Sequence, residues 1–224
     1  MKYLLVIVFV LLINYCPAQN VPKNLSIADF LKETQQFYSQ DNNVKLVWWL
    51  PAEFWDVAAN NDTSIKKSDM DVIKNAFKDY TVIIAVDAIK IKESGADKYE
   101  YTSYDEVKKH LKLENALNNE YKPLNDSELS NTAILFRAQL APALINMIGD
   151  IGKGGNIYFF KDRKDVNTSD ATKKGSFTLL LDGVPFKWKL PLPSMMPPKY
   201  CPVDKKRMEG DWLYCPYHGV KLAK

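Results

Sequence analysis

Two short phrases near the carboxyl end hold the residue types best suited to chemistry. Tyr200-Cys201-Pro202-Val203-Asp204 and Tyr214-Cys215-Pro216-Tyr217-His218 match position for position. Each reads as an aromatic residue, a cysteine, a proline, a free choice, then a side chain with a donor atom. Gly219 follows the second phrase, where a residue free to take positive φ is useful. Between the phrases, Lys205 to Leu213 contains Gly210 and can turn back as a hairpin. Thiolate and imidazole are good metal donors. Two cysteines can instead join as a disulfide where the compartment is oxidising.

This pattern resembles a zinc ribbon, in which two C-P-x-C-G knuckles clasp one ion between hairpin strands. A knuckle sets two donors three positions apart so that one tight turn aims both at the same ion, and four donors close a tetrahedral site. The resemblance places Cys201, Cys215 and His218 on ligand positions. Asp204 stands on the fourth, where the family has cysteine; a carboxylate is a harder donor than a thiolate. Lys205 stands where the first knuckle often has glycine. The resemblance implies a structural zinc and covers about the last 24 residues. Two alternatives stay open. One is a Cys201–Cys215 disulfide with no cofactor. The other is a catalytic zinc on Cys201, Cys215 and His218, with Asp204 freed as a base.

The amino terminus sets the compartment. Lys2 precedes an apolar run from Tyr3 to Ile13 and a small-residue boundary at Ala18-Gln19. This reads as a secretory signal over residues 1–19, and the run is short of the roughly 20 apolar residues of a span. Export to the periplasm or the medium follows, with no transmembrane span expected after cleavage. A lipid anchor through Cys16 is the alternative, and the bulky Tyr15 before it argues against it. The formal charge is +3, or +2 once Lys2 leaves with the signal. Nearly balanced charge gives no electrostatic reason to expect nucleic acid. The expected partner is an envelope component or another protein, with the oligomeric state open.

The elements that must position these residues alternate between helix and strand, predicting an α+β domain over residues 20–190 with a mixed or antiparallel sheet and packed helices. Ser26 caps an apolar stripe of Ile27, Phe30, Leu31, Phe37 and Tyr38 at helical spacing. Val44 to Leu50 reads as a strand, and Pro51 opens a short helix to Asn60. Ser68 caps a helix with Met70, Ile73, Phe77 and Tyr80 on one side. Thr81 to Lys92 is the strongest strand: Val82 to Val86 is apolar throughout and predicts cover on both faces. Ile89 and Ile91 then alternate with Lys90 and Lys92, predicting one wet face. Ser103 to Glu106 is a capping box, and 115–131 reads as irregular. Thr132 to Arg137 is a strand candidate, Pro142 starts a helix ending near Gly149, and Asn156 to Phe160 is a strand. Lys161 to Lys174 reads as a solvated loop. Asp182-Gly183 closes a hairpin from Phe177 to Leu190. Five prolines between Pro191 and Pro202 mark an extended connector, so residues 191–224 form a connector and a zinc-ribbon-like tail. The body as a whole resembles an exported bacterial family ending in such a tail, a resemblance that implies no activity.

Other constellations carry less. His110 lies among lysines without a nucleophile nearby. Gly149 to Gly155 lacks the spacing of a phosphate loop. Asp87 and Arg137 could pair across strands. Trp48, Trp49 and Trp55 with Glu53 and Asp56 could line a carbohydrate or small-ligand groove, or pack a core. The expectation is therefore an exported accessory or binding protein, more plausibly not an enzyme. Its rivals are a ligand-binding module and a hydrolase of envelope polymers. The hydrolase would need two acids among Glu53, Asp56 and Asp87 about 5–10 Å apart.

Overall fold

The computed structural model describes residues 25–61, 67–93, 96–161 and 170–222. Ser26 caps α1 (Ile27–Thr34) by accepting the Asp29 amide. The helix stops at Thr34 rather than continuing to Tyr38: β1 (Gln35–Gln40) pairs antiparallel with β2 (Asn43–Leu50). Phe37 and Tyr38 fit the helical stripe by spacing, but pairing with Leu46 and Lys45 draws them into the sheet. Helices α2 (Glu53–Asn61) and α3 (Lys67–Phe77) follow, and then the 14-residue β3 (Tyr80–Glu93).

Strand β3 organises the first sheet, whose pairings are all antiparallel. It pairs with β2 from Val82 to Ile89, with β7 (Asn156–Lys161) through its first half, and with β4 (Ala96–Tyr101) through its second. Val82, Ile83, Ile84, Ala85 and Val86 are all buried, as a strand covered on both faces requires. Beyond Ala88 the strand leaves the body. Ile89 and Ile91 are exposed, so the expected half-buried face is missing; here β3 has only its neighbours β2 and β4 beside it.

A second sheet runs β6 (Glu120–Tyr121), β5 (Leu111–Asn115), β8 (Gly175–Leu181), β9 (Val184–Leu190). Helix α4 (Tyr104–His110), capped by Ser103, leads straight into β5. The β8–β9 turn takes positive φ at both Asp182 and Gly183, which matches the right-handed twist of its strands. Phe186, Trp188 and Leu190 are buried while Lys187 and Lys189 are exposed.

The two tryptophans of β2 show how the layers stack. Trp49 meets Phe177 and Trp188 of the second sheet at ring-centroid distances of 5.1 and 6.2 Å. Trp48, on the opposite face, meets Phe54 of α2 edge-on at 5.5 Å. Trp55 continues outward to Phe77 and Phe136. Helices, first sheet and second sheet thus enclose one core, and the molecule is a single α+β domain.

Residues Thr132 to Arg137 are helical, within α5 (Asn131–Leu140), not a strand. Ser130 caps this helix through the Ala133 amide, and Ala133 and Phe136 face the core. A 3-10 turn at Ala141–Ala143 leads to α6 (Leu144–Ile148), which ends at Gly149 with φ 70°. The path Asn131–Gly154 is long and apolar enough to cross a membrane by length and composition alone, and 11% of its apolar 18-residue window is buried. The charged stretch after Lys161 falls mostly outside the described residues.

The proline-rich connector carries core residues. Leu192 and Met195 join the main cluster around a 3-10 turn at Pro193–Met195. Glu33 of α1 accepts hydrogen bonds from the Ser194 amide and hydroxyl, the latter at 2.7 Å. The tail then forms β10 (Lys199–Tyr200) and β11 (Arg207–Met208). It closes onto the connector at Gly210, where a Cβ would lie 2.4 Å from that of Met196. Only glycine permits that approach.

Candidate metal centre

Each phrase folds into the same turn. In the first, the Lys205 amide donates to the Cys201 carbonyl at 2.9 Å and the Cys201 amide to the Lys206 carbonyl at 2.9 Å. In the second, the Gly219 amide donates to the Cys215 carbonyl and the Cys215 amide to the Val220 carbonyl, both at 2.8 Å. The residue after each donor takes positive φ, 60° at Lys205 and 63° at Gly219. Lys205 therefore occupies the left-handed position that glycine fills in its counterpart, a strain of order 1 kcal/mol for a side-chain residue.

The two turns converge. The Cys201 and Cys215 sulfurs and one His218 ring nitrogen lie within 4.8 Å of one another. His218 Nδ1 is 3.3 Å from the Cys201 sulfur and 3.5 Å from the Cys215 sulfur. Both cysteines are buried, and neither is in a disulfide. The sulfurs also receive backbone amides, from Val203 and Asp204 at Cys201 and from Tyr217 and His218 at Cys215. Such donors favour the thiolate, which is the form that binds metal. Burial nevertheless pushes the Cys201 thiol up. At Cys215 burial acts the same way, but the amides and the His218 ring bring the thiol below its ordinary value.

Asp204 holds the position in the first turn that His218 holds in the second. Its partly buried carboxylate accepts the Lys206 amide at 3.1 Å and pairs with the Lys206 ammonium at 3.4 Å. The Lys206 amide, the Cys201 thiol and that ammonium hold its carboxyl below the usual range. Asp204 thus sits beside Cys201 but outside the set of three donors that lie together. The residues present form a Cys/Cys/His cluster able to coordinate a metal ion, and the unjoined sulfurs favour a metal over a disulfide.

The remaining candidates disperse. Asp87 does not meet Arg137: it pairs with Lys45 at 2.5 Å, while Arg137 forks onto Asp126 at 2.7 and 2.9 Å. A pairing of the two would have needed both in strands, and Arg137 lies on a helix. Asp56 pairs with Lys74, and Glu53 accepts the Ala171 amide at 3.0 Å. Asp87 is thus engaged on β3, while Glu53 and Asp56, three positions apart on α2, each bond to a different partner. Trp48, Trp49 and Trp55 are all buried, as core packing requires, and line no open groove. His110 is exposed and pairs with Glu106 of its own helix.

One acid pair escapes sequence reasoning. Asp170 lies beside Glu53, whose carboxyl is pushed up to about 7 by burial and then by the Asp170 charge. Asp170 itself stays low despite burial, because Thr172 donates to it twice and Lys173 pairs with it. No spacing links residues 53 and 170, so only the folded chain brings them together.

Comparison with protein-family models, with curated proteins and with solved structures found no match to the chain.

Proposed function

We propose that this chain is an exported accessory or binding protein of the cell envelope, periplasmic or secreted, whose tail is a structural zinc clasp. The observation that carries this reading is the convergence of two like-folded turns on two unjoined sulfurs and one imidazole. Cys201, Cys215 and His218 through Nδ1 are the natural ligands, and Asp204 completes the set by turning from Lys206 to the ion. The amide donors on each sulfur temper the charge that two thiolates would concentrate there.

Bound zinc supplies a crosslink where the tail has almost no core of its own. Its buried apolar set comprises Cys201, Met208, Cys215 and Leu222, with Val220 packed against it. That is too little burial to hold a fold, and closed zinc sites contribute folding energy directly.

Elemental analysis of the purified mature chain with a free-thiol count tests the clasp. One zinc per chain with both thiols reactive after denaturation is expected. Asp204→Ala should weaken zinc affinity by roughly tenfold to a hundredfold in chelator competition. Metal-free protein without titratable thiols would establish the disulfide instead.

A further inference from the structure

The tail exposes more large apolar side chains than it buries. Tyr200, Val203, Trp212, Leu213, Tyr214 and Tyr217 are between 38% and 73% exposed. The duplication that builds the turns also builds this surface. Tyr200 and Tyr214 each precede a cysteine, and Val203 and Tyr217 each stand at a turn tip. Every tyrosine in the set has a basic neighbour. Tyr200 is the strand partner of Arg207, Tyr214 is bridged to Lys221, and the Lys206 ammonium lies 5.7 Å from the Tyr217 ring centre. Across residues 199–222 five basic residues face three acidic ones, a net charge of +2.

We propose that the exposed aromatic and basic side chains of the tail dock on an anionic lipid-bilayer surface. Tyrosine and tryptophan favour the bilayer boundary, where an apolar ring and a polar tip are both satisfied. Lysine and arginine beside them meet anionic headgroups near the surface. A single nucleic-acid strand would also take aromatic and basic groups, but it offers no apolar phase for Val203 and Leu213. Protein interfaces deplete lysine at their centres, whereas here basic residues alternate with the rings. The proposal rests on the metal reading, since the ion fixes the two turns that present the tyrosines. Ligation by Asp204 also frees Lys206 for a headgroup.

Trp212 is a built-in probe, because Trp48, Trp49, Trp55 and Trp188 are each no more than 8% exposed. Zinc-loaded mature chain is mixed with vesicles of phosphatidylglycerol and phosphatidylcholine, with pure phosphatidylcholine as the reference. A blue shift of tryptophan emission and about tenfold stronger cosedimentation are expected on the anionic vesicles, fading as salt rises. Replacing Leu213→Ser and Tyr217→Ser together should cost about tenfold in binding at unchanged zinc content. Equal binding to both vesicles, binding to neither, or full binding by the double variant overturns the proposal. So does capture of a single-stranded oligonucleotide while vesicles leave the emission unmoved. Zinc is assayed in the same samples: a metal-free chain sinks the metal reading, whereas a zinc-loaded chain indifferent to vesicles sinks only the docking.

Discussion

Glu53 shows how one side chain can carry a pH dependence for the whole domain. Its folded pKa of about 7 lies above the ordinary 4.5, because burial and the neighbouring Asp170 both disfavour its charge. The stability it contributes is therefore complete below pH 4.5 and is lost as pH rises through 7. At pH 8 the ionised carboxylate costs on the order of 3 kcal/mol relative to acid conditions. Glu53→Gln keeps an oxygen for the Ala171 amide and removes the ionisation. Urea titrations at pH 5 and pH 8 should give the variant nearly the same midpoint at both. At pH 8 it should exceed the parent by about 1–3 kcal/mol. A parent midpoint that does not fall between the two pH values would show that the burial assigned to Glu53 is wrong.

Among the elements, β2 carries a buried charged side chain. Lys45 is 4% exposed and stands opposite Asp87 on β3, with Asp182 of the β8–β9 turn at 3.4 Å. The ammonium thus ties the first sheet to the hairpin of the second. Removing one partner of a buried pair leaves the other unpaired, at about 3–5 kcal/mol. Lys45→Met should lower stability by roughly that amount, measured by urea unfolding. Combining it with Asp87→Leu should recover most of the loss, because well-packed apolar replacements of a buried pair are often neutral. No recovery would mean that Lys45 acts through Asp182 rather than through Asp87.

At the scale of the molecule, the two clusters differ in what holds them. The main core spans both sheets, α2, α3 and α5, and includes Leu192 and Met195 of the connector. In the proposed reading the tail depends on a bound metal instead. Chelating the ion should release the tail without melting the body. In chelator, trypsin cleavage at Lys205, Lys206 and Arg207 should accelerate by about tenfold or more, while hydrogen exchange in β2 and β3 stays unchanged. If the body loses protection together with the tail, the contacts at Ser194 and Gly210 make the two a single cooperative unit.

The sequence by itself determined whatever depends on neighbours along the chain. The duplicated Cys-Pro phrases specify two like turns, because each closes through an amide four positions on that donates to the cysteine carbonyl and a carbonyl five positions on that accepts the cysteine amide. The Asp182-Gly183 hairpin, the Ser26 and Ser103 caps and the apolar run of β3 are local in the same sense. Only the tertiary structure decided what depends on which partner a segment or side chain meets. The stripe through Phe37 and Tyr38 yields to pairing with β2. The stretch from Thr132 to Arg137 becomes helix because its apolar residues pack on Phe77 and Trp55 rather than in a sheet. Arg137 takes Asp126, Asp87 takes Lys45, and Glu53 meets Asp170 across more than a hundred residues. The physical reason is common to all of these: turn geometry is set by a few adjacent dihedral angles, whereas burial and charge pairing are set by whatever the fold brings alongside.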